Sequence, residues 1–207
     1  MKNLFLITVL LTTLTSLAQD QYVKGMQKAF QFWGEGNTHE ASNLFERIAS
    51  AETENWLPYY YVAQVNTVSA FGERNEEKLT RQLEKAQEYI DLAKAISPNN
   101  PEILVQQAMI HTAWVAFDGA KYAMTLSGKV VALYQKALQL APDNPRVVFS
   151  KAEWDMGSAK YFGQDIAPYC EDVERALQLF ANFKPKSEFH PNWGKDRAQA
   201  TFENCGK

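Results

Sequence analysis

The sequence has few of the features that would announce a catalytic or nucleic-acid-binding protein. It holds three histidines, His39, His111 and His190, and none has a second His, Cys or carboxylate at metal-ligand spacing. There is no His-Glu-x-x-His and no Gly-x-Ser-x-Gly, and Ser127-Gly128-Lys129 lacks the glycine-rich lead of a phosphate loop. These absences argue against a metal site, a serine nucleophile and a nucleotide site; no cofactor is called for. An excess of basic charge is also missing. The formal net charge is −3, whereas a nucleic-acid partner wants a basic stripe. Strand signals are nearly missing, with no Asn-Gly or Asp-Gly turn set between alternating apolar runs.

What is present begins with an export pattern. Lys2 precedes an apolar run from Leu4 to Leu11, extended through Leu17, and Ser16-Leu17-Ala18 fits the small-x-small rule of signal peptidase. The expected organisation is a signal peptide over residues 1–18 and one domain over 19–207, exported to the periplasm or the extracellular medium. No later apolar run is long enough to span a membrane. Loss of Lys2 with the leader takes the net charge from −3 to −4.

Ala, Leu, Gln, Glu and Lys recur at helical spacing, and the breaks between them carry Pro, Asn and Gly. The pattern predicts helices over 20–34, 38–50, 56–71, 76–96, 101–117, 121–140, 145–161, 168–181 and 192–204. Two of the breaks are copies of each other: Ser97-Pro98-Asn99-Asn100-Pro101 and Ala141-Pro142-Asp143-Asn144-Pro145 lie 44 residues apart. In each, one Pro ends a helix that it cannot continue and a second opens the next helix, where a missing N–H costs nothing. Ala63, Ala108 and Ala152 keep nearly the same step.

Gly36-Asn37-Thr38-His39-Glu40-Ala41 ahead of Phe45 and Ile48, the Tyr134–Ala137–Pro142 series, and Ala86, Ile90, Ala93 and Pro98 together resemble the tetratricopeptide repeat. That family stacks helix-turn-helix units of 34 residues. The longer period here places an insertion in each hairpin, with Gly72 to Thr80 and Gly119 to Gly128 as candidates. The resemblance implies an all-α, right-handed superhelix of about four antiparallel hairpins, closed by a C-terminal capping helix. Lys195, Asp196, Arg197, Gln199 and Glu203 would give that last helix a polar outer face.

The resemblance also implies a concave groove lined by the first helix of each hairpin. Carried over by register, the groove shows Met26, Phe30, Trp33, Tyr60, Gln64, Met109, Phe149 and Glu153, with Val105, Thr112 and Met156 beside them. Such a surface suits a protein or peptide partner, so the expected role is binding or scaffolding without catalysis. Two alternatives stand beside it: a self-associating envelope protein that uses the same surface as a homo-oligomer seam, and an enzyme of unfamiliar design, for which Glu153 and Asp155 near Lys160 are the cluster to inspect. Tyr59, Tyr60 and Tyr61 pose a separate question, because neighbours on a helix are 100° apart and cannot all face one stripe.

Cys170, near the start of the eighth helix, and Cys205, just past the ninth, would be neighbours in an antiparallel hairpin. An oxidising compartment lets them pair, and the alternative is two free thiols. Chain-entropy models put such a clip at about 3–4 kcal/mol. Thiol titration of the unreduced mature protein should find no reactive thiol; two would exclude the pair.

Overall fold

The computed structural model describes residues 19–205, so the leader expected over 1–18 lies outside the described residues. These residues form nine helices and no strand. They are α1 (19–34), α2 (Thr38–Ala51), α3 (Trp56–Ala70), α4 (Glu76–Ile96), α5 (Pro101–Phe117), α6 (Gly119–Leu140), α7 (Pro145–Tyr161), α8 (Ala167–Asn182) and α9 (Lys195–Glu203). Consecutive helices pack as hairpins, and α5 also touches α3 and α7 directly. The odd-numbered helices therefore make an inner layer and the even-numbered ones an outer layer, as in a helical solenoid.

The repeated prolines do what their chemistry allows. Pro101 and Pro145 are the first residues of α5 and α7. The asparagine before each is the N-cap: Asn100 Oδ1 accepts from Glu102 N at 3.0 Å, and Asn144 Oδ1 from Arg146 N at 3.0 Å. Asn55 caps α3 in the same way. One side chain thus satisfies an amide that the first turn would leave orphaned. Ala63, Ala108 and Ala152 are all buried. The long period has a different origin from the one expected. Most of Gly72–Thr80 and all of Gly119–Gly128 are not inserted loops; they include the first turns of α4 and α6, which reach 21 and 22 residues.

The inner helices α3 and α5 are apolar on nearly every side, which requires cover on two faces. The outer helices cover one. The other face of α3 is covered by residues 183–194, the link between α8 and α9, which runs back along the inner layer as a strap. Its Phe189 is buried against Phe30 (ring centroids 6.0 Å) and Tyr22 (5.6 Å). Tyr61 Oη donates to the Phe189 carbonyl at 2.7 Å, and Trp193 Nε1 donates to Tyr60 Oη at 2.9 Å. This resolves the tyrosine run: Tyr61 stacks with Phe45 and Tyr60 reaches the strap, so both are buried, while Tyr59 lies half-exposed against Tyr89.

Beneath the strap lies an ion pair out of reach of water. Arg146 Nε and Nη2 donate to Glu102 Oε2 and Oε1 at 2.8 and 2.6 Å, and Asn144 Nδ2 donates to the same Oε1 at 2.6 Å. Both side chains are essentially fully buried. Phe183 of the strap sits over the guanidinium at 4.3 Å. Glu102 and Arg146 hold the same register position, each directly after its helix-opening proline, so the pair ties one repeat to the next.

The last helix starts later than expected. Residues 192–194 stay outside it, and Gly194 at φ +106° turns the strap into α9. A Cβ there would stand 3.0 Å from the Phe180 ring. Cys170 and Cys205 are joined by a disulfide, with Cα atoms 5.9 Å apart, and this fixes the end of α9 to the start of α8.

Two outcomes follow. Glu102→Ala or Arg146→Ala leaves a buried charge alone and should cost about 3–5 kcal/mol in urea unfolding, whereas replacing both by apolar residues of similar size should cost less than either single change. Burial lowers the pKa of His190, Glu102 pulls it back up by less, and Arg146 adds to the lowering. The fold therefore holds the neutral ring: its contribution is complete above the ordinary imidazole value of about 6.5 and is lost as the pH falls toward the lowered value. The urea midpoint should drop over that acid range, and His190→Asn should flatten the drop.

Candidate functional site

Where the strap ends, the inner layer opens into one large cavity of ≈630 Å³. Its walls are the inner helices. Trp33 comes from α1; Gln64, Val68 and Phe71 from α3 and its end; Met109, Thr112, Val115 and Ala116 from α5. Ser150, Glu153, Trp154, Gly157, Ser158, Tyr161 and Phe162 come from α7 and its end, while Ala123, Ser127 and Tyr134 of α6 close one side. Trp193 and Arg197 close the other. The residues on α3 and α7 recur at spacings of three and four, so each series lies on one helical face. The volume is that of a site for a small organic molecule, typically ~300–1,000 Å³.

The two ends of the cavity differ. Tyr161 and Phe162 are 74% and 70% exposed, and Phe71 and Val68 are exposed beside them. Large apolar side chains left bare around a cavity mark a contact surface. At the far end stand Gln64, Ser150, Tyr134, Glu153 and Arg197. The Glu153 side chain is largely buried, and desolvation raises its pKa above the ordinary carboxylate range, with Arg197 pulling the other way. Arg197 Nε donates to Glu153 Oε1 at 2.6 Å. Burial also raises the Tyr134 pKa, with Glu153 adding to the rise, so the phenol stays protonated. Gln64 is 3% exposed, and its Oε1 has no hydrogen-bond partner among the described residues.

The eight groove residues expected from the repeat register divide in two. Trp33, Gln64, Met109 and Glu153 line the cavity. Met26, Tyr60 and Phe149 are fully buried in the core instead, and Phe30 is packed between Trp33, Tyr61 and Phe189. The strap fills the groove along α1 and the first half of α3, where it covers Phe30 and Tyr60, whereas Phe149 packs against Phe180 of α8. Val105 and Met156 are likewise core residues, while Thr112 is on the wall.

Other cavity residues have no signal in the repeat pattern. Trp193 and Arg197 arrive from the far end of the chain through the strap and α9, where Arg197 reads in the sequence as one more solvent-facing charge of a cap. Trp154 and the exposed Tyr161-Phe162 pair belong to α7 and its end, where aromatic side chains in a polar stretch are the one available hint. Of the acidic cluster, Asp155 pairs with Lys151 on its own helix, away from Glu153. The histidines stay out of the lining. His39 contacts Asn43, His111 contacts Gln107, and His190 is in the strap beside Trp56 and Phe183. No group of three or more His, Cys, Asp or Glu residues stands close enough to hold a metal ion among the described residues, and none of the described helices is long and apolar enough to cross a membrane.

No protein-family model matches the chain, and no curated protein matches it. Among solved structures, the chain is similar to the HusA haemophore from Porphyromonas gingivalis. The TM-score is 0.78 at 22% identity, over 89% of this chain and 92% of that one. It is also matched to a thermophilic tetratricopeptide-repeat protein of Thermus thermophilus, at TM-score 0.41 and 14% identity, over 89% of this chain and 98% of that one; a score that low carries no argument. The haemophore likeness establishes the fold: an all-helical, repeat-like solenoid with the same overall course.

Proposed function

We propose that this chain is a binding protein whose cavity takes a large, flat, mostly apolar molecule of the porphyrin class. The observation that carries the reading is the wall itself: three tryptophans from three separate parts of the chain, Trp33, Trp154 and Trp193, around one cavity of ≈630 Å³. Indole rings offer broad apolar faces at little cost in side-chain entropy, and such walls reward a flat aromatic guest. The likeness to a haemophore supports the same class of ligand.

The residues present fit a macrocycle held by burial and stacking. Haem iron takes His, Met, Tyr or Cys ligands. Met109, Tyr134 and Tyr161 are on the wall; the Tyr134 phenol is held protonated by burial, Tyr161 stands at the exposed rim, and no histidine is among the lining residues. The affinity would then come from the ring system, with little from the metal. The leader pattern read from residues 1–18 and the Cys170–Cys205 disulfide support an exported protein, in the periplasm or outside the cell. The peptide reading drawn from the sequence keeps the same walls. Its weakness is that the stretch of groove a long peptide would need, along α1 and α3, is filled by the strap.

Titration with haem and with metal-free protoporphyrin, followed by the Soret band and by quenching of tryptophan fluorescence, tests the proposal. Both should bind saturably at one site, within a few-fold of each other, and Trp154→Ala should weaken both by about 10-fold or more. Absence of saturable binding by either, with an apolar peptide still bound, would favour the peptide reading.

A further inference from the structure

Residues 183–194 cross the inner layer without helix or strand. Between Lys184 and Trp193, the one backbone–backbone hydrogen bond among the described residues is His190 N to Ser187 O at 3.1 Å. The strap is therefore held by its side chains, and segments with few backbone hydrogen bonds are where local opening starts. Its buried anchor is three consecutive residues, Phe189, His190 and Pro191. Lys184 to Glu188 before them and Asn192 after them are exposed.

The middle residue of this anchor is the one side chain type that titrates near neutral pH. The His190 ring is buried edge-on to Trp56, with centroids 6.1 Å apart, and lies 6.1 Å from the Phe183 ring. Its Nδ1 stands 3.3 Å from the Pro191 carbonyl oxygen. The charged groups that face it are Glu102 of α5, Arg146 of α7 and Lys186 of the strap, while α3 meets it with the uncharged Trp56. Glu102 is already committed, since Arg146 donates to both its oxygens and Asn144 to one of them. An imidazolium here would have no carboxylate of its own, and Arg146 and Lys186 would repel it. A buried charge in that position is costly.

The anchor also controls the cavity. Trp193, three residues past His190, is on the cavity wall and donates to Tyr60 Oη. Phe189 covers Tyr22 and Phe30 of α1, and its carbonyl accepts from Tyr61. We infer that the strap is an acid-operated gate: a proton on His190 displaces Phe189, His190 and Pro191 from the inner layer, takes Trp193 off the cavity wall and uncovers the groove along α1 and α3. The gate stands on the strap's own packing. Its use, release of the cavity's guest in acid, rests on the porphyrin reading and adds to it the way the guest leaves. In the closed strap, burial favours the neutral ring; in the open strap the ring is in water, with its ordinary value of about 6.5. The closed form is thus fully favoured above that value. It loses to the open form as the pH falls toward the lowered value, by up to about 10-fold per pH unit.

Endoproteinase Glu-C, which cuts after Glu, tests the gate. The exposed Glu188 precedes the buried Phe189, and a protease needs extended chain on both sides of its bond, so a cut there reports an open strap. The free peptide 183–194 supplies the reference rate at each pH. Relative to it, cutting of the wild type after Glu188 should rise by up to about 10-fold per pH unit from about pH 6.5 to about pH 5, with the helices still uncut. His190→Phe and His190→Gln should show no rise. Affinity of the wild type for protoporphyrin should fall over the same range, and that of His190→Phe should fall less. A flat wild-type rate, or an equal rise in His190→Phe, would overturn the gate and leave the porphyrin reading intact. A rise with no loss of protoporphyrin affinity would overturn the release. No protoporphyrin binding at neutral pH would remove the porphyrin reading, while the cutting still decides the gate. Circular dichroism establishes that each variant is folded. If neither His190 variant folds, Lys186→Glu decides: this exposed change puts an anion where a cation faces the ring, so at low salt it should reduce the rise, and an undiminished rise would overturn the gate.

Discussion

The buried pair of Glu102 and Arg146 is the constraint on which the rest of this structure hangs. Placing two charges beyond the reach of water is expensive, and their attraction repays the cost only when the geometry is good and the remaining valences are met. Here the contact is bidentate, Asn144 gives Glu102 a third hydrogen bond, and Phe183 stacks on the guanidinium. Arg146 Nη1 is the one group left over. The requirement for that geometry sets the relative position of α5 and α7. It also recruits the strap, because without Phe183 and its neighbours the pair would face the groove.

Once the strap is in place, the site follows. A solenoid of this kind offers its whole inner face, but residues 183–194 occupy one part of it with Phe189, His190 and Trp193. The apolar surfaces of α1 and α3 there become core. What remains open is the stretch bounded by α3, α5 and α7, closed at one end by the strap's own Trp193 and by Arg197. The strap is thus both a plug and a wall. The disulfide contributes by fixing α9, the helix that carries Arg197, to α8. Gly194 contributes because only a residue without a Cβ passes Phe180 at that φ.

The periodic parts of the chain are readable because each obeys a local rule. Helix ends coincide with Pro, Asn and Gly, whose effects act within one turn. The nine helices lie where the pattern puts them, within a few residues, and the 44-residue step reappears as repeated N-caps and buried alanines. The insertions expected in each hairpin are not there. A turn and a lengthened helix use the same residues until packing decides between them, and α4 and α6 are extended by the neighbours they lie against. For the groove, register alone places Trp33, Gln64, Met109 and Glu153 on the cavity wall, but it cannot distinguish them from Met26, Tyr60 and Phe149.

By itself, then, the sequence determined an all-helical repeat, the number and order of its helices, and a cysteine pair at the two ends of one C-terminal hairpin, since helix propensity, capping and apolar period are written in neighbouring residues. Which of the inner-face residues meet open space was decided only by tertiary structure. That outcome depends on a non-periodic loop returning from the far end of the chain to pack on α1 and α3, and on a buried ion pair between two repeats. Neither leaves a local mark. A lone Glu after one proline and a lone Arg after another read as ordinary first-turn charges until the fold brings them to 2.6 Å.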